Sequence, residues 1–270
     1  MRPPVRWFGS KTMLAPKIID LMPPHRHYVE VFSGSAAVLF AKSRSPLETV
    51  NDLDDRIVNL FSVLRDPDAA AELERQVWLT PYGRAEFNAA KSSDSTDPIE
   101  RARCFLVTAI QAVGNAGEGW SYTANESAVS AARSHRWTSL PTRLQACAER
   151  LRGVQVDSVD WRLVLQRYDK PGVLLFVDPP YHPEVRPNTM GSYRHEFTAA
   201  DHDELVAALA DLRHAKAMVT HYPHPLYDSL EWEYIDLSAA ADNATAKRQD
   251  ARVERIYISH PQNSQGRLFG

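Results

Sequence analysis

The sequence predicts an α/β protein, with a mostly parallel sheet covered by helices on both faces and a mainly helical insertion. Three observations predict it. Short runs of apolar and β-branched residues alternate with helix-period segments. One run, VLLFV at 173–177, has no polar position, as expected of a strand buried on both faces. A block over 69–150 breaks the alternation with helical patterns and no obvious strand pair.

Taken in order, strand-like runs occur at HYVEVF (27–32), ETVND (48–52), GVQVD (153–157), VLLFVD (173–178), AKAMVTH (215–221) and VERIYIS (253–259). Helical patterns lie between them at Asp54–Leu64, Trp161–Tyr168 and Asp201–Leu212. Thr198 is placed to cap the last of these, with Asp201 and Asp203 in or near its first turn. The helical block, with AAELERQVW, GRAEFNAAK and PIERARCFLVTAIQAV, divides the chain into 1–68 with 151–270 and an insertion, 69–150.

At 270 residues, 44% hydrophobic and 24% charged, the chain is long enough for a sizeable core. The amino end has no apolar stretch of secretory length, and runs such as AAVLFA (36–41) are too short to span a bilayer. The expectation is a soluble cytoplasmic protein. Cys104 and Cys147 sit in helix-like apolar settings and suggest neither a disulfide framework nor a thiolate metal site. Net charge is −3, which gives no support to nucleic-acid binding. Between residues 101 and 152, however, Arg101, Arg103, Arg133, Arg136, Arg143, Arg150 and Arg152 stand against Glu118, Glu126 and Glu149. That local excess suits a phosphate backbone; the alternative is a solvated helical surface.

Three stretches carry chemistry. In HYVEVFSGSAAVLFAK a strand ends at Glu30-Val31-Phe32, Ser33-Gly34-Ser35 make a turn, and a helix begins. This geometry brings a ligand against exposed backbone amides, and the absence of a full G-x-G-x-x-G argues against a dinucleotide pyrophosphate. In VNDLDD, Asp52 ends the second strand, where a nucleoside ribose finds its acceptor, and Asp54 caps the next helix. In VLLFVDPPY a buried strand delivers Asp178, then Pro179 and Pro180, then Tyr181. The prolines fix φ near −65° and hold the carbonyls stiffly. A carboxylate oxygen plus a fixed carbonyl suits an amino group with two N–H donors, and an aromatic face suits a planar base drawn out of its stack.

On these residues the chain resembles the S-adenosylmethionine-dependent DNA amino-methyltransferases, through DPPY and its strand. The whole is most similar to the Dam-type adenine-N6 methyltransferases of phage or prophage-like kind, from Arg6 to about Ser259. Their Trp-x-Gly-Gly-Lys element corresponds to Trp7-Phe8-Gly9-Ser10-Lys11, and their Glu-Pro-Phe-x-Gly-x-Gly turn to Glu30-Val31-Phe32-Ser33-Gly34-Ser35-Ala36. Asn51-Asp52 and Phe197-Thr198 match further elements. The resemblance implies a Rossmann-like S-adenosylmethionine-dependent methyltransferase sheet and an inserted DNA-recognition domain. It departs at Ser10, Val31 and Ala36; a β-carbon at Ser10 or Ala36 crowds the methionine end of the cofactor if that residue needs a positive φ.

The resemblance further implies that Trp7, Gly9 and Lys11 border the methionine end, Lys11 also lying near the target base. Glu30, Phe32 and Gly34 line the turn, Asp52 takes the ribose hydroxyls, and Asp160 and Trp161 sit by the adenine ring. Trp161 also reads as a core residue of its helix. Asp178 and the Pro179 carbonyl accept the two N–H groups of a flipped adenine, localise its lone pair for attack on the methyl group, and Tyr181 stacks on the base.

For contacts to double-stranded DNA the segment 117–137 offers Trp120, Tyr122, Arg133, His135, Arg136 and Trp137; the loop after the catalytic motif adds Arg186, Arg194 and His195. The pairs His25/His27 and His221/His224 lack a nearby Cys or carboxylate at ligand spacing, so no metal is expected. Cytosine-N4 methylation uses the same acceptor geometry and stays open, as does a non-catalytic DNA-binding relic of the fold. Recognition sequence, role in restriction-modification or otherwise, and the choice between monomer and weak dimer are not legible.

Overall fold

The computed structural model describes residues 1–5, 7, 9–113, 119–122, 135–185, 194–238 and 253–259. Its strands are β1 (His27–Glu30), β2 (Leu47–Asn51), β3 (Gln155–Asp157), β4 (Val173–Val177), β5 (Lys216–His221), β6 (Glu233–Ser238) and β7 (Val253–Ile258). They form one sheet in the order β3-β2-β1-β4-β5-β7-β6. The pairs from β3 to β5 are parallel, with His27 opposite Leu47 on one side and Val173 on the other. Only β7, between β5 and β6, runs antiparallel to both its neighbours. The chain winds outward from β1 to β3, then crosses back to β4 beside β1. That reversal opens a crevice at the carboxyl ends of β1 and β4, where ligands settle in open α/β sheets.

Alternate strand residues feed two apolar clusters. Tyr28, Leu174, Phe176 and Met218 face one side; Val29, Leu175, Val177 and Val219 face the other. All five residues of β4 are buried, which is why its sequence is an unbroken apolar run. The second face is covered by α8 (Trp161–Tyr168) and α9 (Ala199–Ala210). Asp54 caps α3 (Asp55–Arg65) by accepting from the Arg56 amide, and Thr198 with Asp201 forms a capping box on α9. All six predicted strands are present, with ends shifted by up to two residues. Strand β6 has no counterpart in the prediction: as an edge strand it leaves Tyr234 and Ile235 in solvent, so it lacks a clean apolar alternation.

The first face carries α1 (Ala15–Asp20), α2 (Ala37–Ala41) and α3, then α4 (Pro67–Leu79), α5 (Arg84–Lys91), α6 (Pro98–Gln111) and α7 (Leu140–Leu151). Leu73, Val77, Phe87, Leu106, Leu140 and Leu144 of these later helices share one cluster with Tyr28 and Phe40. Among the described residues the helical block therefore shares its core with that face of the sheet. Cys104 and Cys147 are both free and buried within it. No helix among the described residues is long and apolar enough to cross a membrane.

A buried ion cluster pins the block to β2. Arg150 on α7 donates to both oxygens of Glu48 at 2.6 and 2.9 Å and to the Leu39 carbonyl at 2.8 Å. Lys42 reaches the same carboxylate at 2.7 Å. Burial alone raises the Glu48 pKa; the Arg150 and Lys42 contacts outweigh it and hold the group below the usual carboxylate range. Arg150 is thus structural and not part of a DNA-facing patch. Arg101, Arg103 and Arg152 are likewise paired, with Asp55, Glu100 and Glu149, which removes much of the local positive excess. Replacing one partner of a buried pair strands the other, so Arg150→Met is expected to lower unfolding free energy by roughly 3–5 kcal/mol. Urea denaturation measures it; a loss under about 1 kcal/mol, the range of exposed pairs, would count against this account.

Candidate active site

A cavity of about 460 Å³ occupies the crevice, within the range of small-molecule sites. Strand β1 delivers Glu30 to its wall. The carboxyl accepts from the Tyr28 hydroxyl at 2.9 Å and the Leu39 amide at 2.7 Å, and burial pushes its pKa up to about 8. The turn after β1 requires glycine at position 34. Its φ is +46°, and an added Cβ would lie 2.5 Å from Cδ1 of Trp7, whose ring covers the turn.

Strand β2 ends in two residues with different tasks. Asn51 is buried and ties three strand ends together. Its amide nitrogen donates to the Val31 and Val159 carbonyls, both at 3.0 Å, and its oxygen accepts from the Val159 amide at 2.9 Å. Asp52 turns into the cavity and accepts from the amides of Gly34 at 2.6 Å and Asp54 at 2.9 Å. Burial raises its pKa against those two hydrogen bonds. Opposite, Asp160 caps α8 and Trp161 walls the cavity, with the Arg162 guanidinium 4.4 Å above its ring. Phe32 meets Phe197 edge-on at 5.6 Å, closing the apolar side.

At the inner end Asp178 emerges from β4. Its Oδ1 accepts from the Thr220 hydroxyl at 2.8 Å, and Lys11 Nζ lies 2.6 and 2.7 Å from its two oxygens. The same ammonium reaches the Gly9 carbonyl at 2.9 Å and Glu254 on β7 at 3.1 Å. Burial pulls the Lys11 pKa down, but Asp178, Tyr181 and Glu254 outweigh it and raise it overall, so Lys11 stays charged. Burial pushes the Asp178 carboxyl up to about 6; Lys11 opposes the shift and Glu254 adds to it. The Tyr181 hydroxyl donates to Glu254.

Residues 7–249 match the family of D12 class N6 adenine-specific DNA methyltransferases. The chain belongs to that family. It is an enzyme that transfers a methyl group from S-adenosylmethionine to the N6 amino group of adenine in DNA. Among solved structures, an rRNA methyltransferase, AviRa from Streptomyces viridochromogenes, is 13% identical over 92% of this chain and 84% of that one, with TM-score 0.39. YhhF from Escherichia coli, described as a methyltransferase, gives 14%, 93%, 82% and 0.33 in the same order. SMU.776, a protein solved with SAH, gives 10%, 93%, 49% and 0.41, so the chain spans about half the length of that structure. No curated protein sequence matches the chain.

In this D12 methyltransferase one cavity wall gathers Trp7, Gly9, Lys11, Glu30, Phe32, Gly34, Asp52, Asp160, Trp161, Asp178, Pro179 and Pro180. Trp161 is both core and wall. Tyr181 is not on that wall. Its ring is buried, 4.5 Å from that of Tyr222 and 5.3 Å from that of His221, an arrangement that offers no face to a base. Ser10 carries no positive φ, the left-handed position in that element being Gly9 at 71°. Ala36 does sit at φ 53°, but it is wholly buried in the core cluster and is not part of the cavity wall. Neither β-carbon crowds the cavity in the way the altered glycines suggested.

The expected DNA contacts separate. Arg194 and His195 line the cavity and are both exposed, and Arg194 reaches Asp55 at 2.5 Å. Tyr122 is exposed and stacks on half-buried Trp120, over which Arg84 is poised at 5.0 Å. His135 is exposed and Arg136 half-buried. Trp137 is a correction: it is buried in the core and its Nε1 donates to the Thr80 carbonyl at 2.9 Å, so it is not placed to meet DNA. Arg133 and Arg186 lie outside the described residues.

Sequence spacing missed one cluster, His182, Glu184 and His224, whose ligand atoms lie within 4.8 Å of one another. In both histidines Nδ1 accepts a backbone N–H, from Glu184 and from Leu226, which leaves the proton on Nε2. As hydrogen-bonded here neither ring offers a free lone pair, Nδ1 being taken by a backbone N–H and Nε2 carrying the proton, so this donor set does not suit a metal.

Gly34→Ala is expected to displace Trp7 and weaken S-adenosylmethionine binding by about tenfold or more, with the circular dichroism spectrum retained. Calorimetry reads it; unchanged affinity would mean that the Trp7–Gly34 contact does not shape the cofactor site.

Proposed function

We propose that this cavity holds S-adenosylmethionine and the target adenine side by side, with Asp178 between them. The carrying observation is that Asp52, at the nucleoside end, and Asp178, at the inner end, share one continuous wall with Gly34 and Trp7. The residues fit the cofactor: a turn too tight for a β-carbon, an acceptor for ribose hydroxyls in Asp52, and an apolar wall in Trp161 and Phe32. When bound, S-adenosylmethionine supplies an electrophilic methyl group on a sulfonium.

The residues of the chain do the rest. Asp178 accepts one N–H of the amino group and the Pro179 carbonyl the other, which localises the nitrogen lone pair and aligns it for in-line attack. The positive charge that develops on nitrogen meets a carboxylate already in place and largely withdrawn from water. Trp7, Phe32 and Trp161 keep water from the reacting end. The adenine reaches Asp178 only when flipped out of double-stranded DNA. The helices of 69–150 form the target-recognition unit, and Trp120, Tyr122 and Arg84 supply an aromatic and cationic surface for it. A cytoplasmic monomer or weak dimer suits this reading.

Incubation of unmethylated DNA with the protein and methyl-labelled S-adenosylmethionine, with nucleoside mass spectrometry of the product, tests it. Labelled N6-methyladenine is expected, with a rate at least about 100-fold lower for Asp178→Ala. Full activity in that variant would remove Asp178 from the chemistry, and label on N4-methylcytosine would change the target base. The acceptor must be ionised, so the wild-type rate should climb as pH rises through about 6, the value to which burial lifts Asp178. A rate that stays flat over roughly one to two pH units on either side of that value would exclude Asp178 as the titrating acceptor.

A further inference from the structure

The Lys11 ammonium straddles both oxygens of Asp178, and Thr220 occupies Oδ1 as well. The carboxylate assigned to the adenine amino group is thus engaged by a full positive charge before the base arrives. An ammonium on both oxygens competes for the lone pairs that an amino group needs, and it repels the positive charge that methyl transfer creates. Something has to draw Lys11 aside.

A second carboxylate is in position. Glu254 is on β7, antiparallel to β5, which carries Thr220. Its Oε1 lies 3.1 Å from Lys11 Nζ, its side chain is 13% exposed, and the Tyr181 hydroxyl donates to it. Lys11 has three N–H donors, and the Gly9 carbonyl at 2.9 Å takes one as a pivot. A swing of the ammonium from Asp178 towards Glu254 therefore needs only a small movement.

We propose that Glu254 is a positioning residue that takes Lys11 from Asp178 as the target amine docks, leaving Asp178 free to accept the amine and its developing charge. The inference rests on Asp178 being the amine acceptor. Its charge balance is simple. One ammonium and two carboxylates leave the buried cluster one negative charge in excess. The positive charge that enters on the sulfonium and passes to the methylated nitrogen balances it until that nitrogen gives up a proton to Asp178. Without Glu254, Lys11 and Asp178 form a closed neutral pair with no reason to part. Tyr181 has a matching role, since its buried ring and hydroxyl fix the second carboxylate. Among the described residues, further titratable groups that act on or feel Asp178 are Glu30 and Tyr28 on β1 and Tyr227 on α10 (Pro225–Asp228).

The experiment is single-turnover methylation of DNA across pH with wild type, Glu254→Gln, Glu254→Asp, Lys11→Met and the Lys11→Met/Glu254→Gln pair. S-adenosylmethionine affinity and thermal melting are measured on each as a check of folding. Glu254→Gln is expected to slow the step by about tenfold or more at neutral pH, with cofactor affinity within about twofold. Its acid limb should move to lower pH, because a negative neighbour that lifts Asp178 is gone. Glu254→Asp should recover part of the rate. Because Glu254 acts through Lys11, its removal should have little further effect once Lys11 is Met. The proposal is overturned by a Glu254→Gln rate within about twofold of wild type. It is equally overturned by a slower step with an unmoved acid limb, or by effects of the two substitutions that simply add. Activity retained by Asp178→Ala in the same assay would instead sink the assignment of the amine acceptor.

Discussion

The ammonium of Lys11 is where three distant parts of the chain meet. It comes from the amino-terminal segment, it contacts the carboxylate just beyond β4, and it contacts the carboxylate on β7. A buried charge is costly unless compensated, and here compensation is excessive by one carboxylate. This imbalance dictates the rest of the site. It holds the Asp178 motif against the last strand, and through Glu254 it adds to the burial that lifts Asp178 above the usual carboxylate range. It also makes the pocket receptive to positive charge, which suits a reaction that brings a sulfonium in and builds a cation on the attacking nitrogen.

The sheet can hold such a cluster because everything around it is rigid. Strand β4 is buried along its whole length, so Asp178 leaves a strand end with no freedom to shift, and Pro179 and Pro180 stiffen the backbone beyond it. Asn51 bolts the neighbouring strand ends to one another, so Asp52 and the Gly34 turn keep their spacing across the cavity. The helical block joins the same framework through a shared apolar cluster and through Arg150 on Glu48. The described helices of the block are thus tied to the strand that leads to Asp52, by packing and by charge.

How much of this was legible in the sequence depends on how local each signal is. Strands buried on both faces announce themselves as apolar runs, and the glycine turn, the Asp54 cap and the Thr198 cap depend on a few adjacent residues. The grouping of Gly34, Asp52, Asp160 and Asp178 on one cavity wall was legible for the same reason, since each sits at a strand end or turn. Glu254 was not, because it belongs to the site only through an antiparallel strand inserted beside β5. Trp137 was misplaced because it lies in a polar, arginine-rich stretch. Its spacing of three and seven to Leu140 and Leu144 is the pattern of a buried helical face and was the signal to weigh instead.

Tyr181 is the point where motif and structure pull apart. An aromatic ring after two prolines invites the role of a stacking platform, yet the ring is packed against Tyr222 and His221, and its hydroxyl is held by Glu254. To stack on a base it would have to give up a buried hydrogen bond to a carboxylate, which costs more than a neutral one. Its present position serves a different need. Lys11 lies 5.1 Å from the centre of that ring, so Tyr181 forms one side of the ammonium's enclosure while fixing the carboxylate on the other. On this arrangement the aromatic residue of the motif acts on the base at one remove. It keeps Glu254 where Lys11 can reach it, and Lys11 in turn decides whether Asp178 is free.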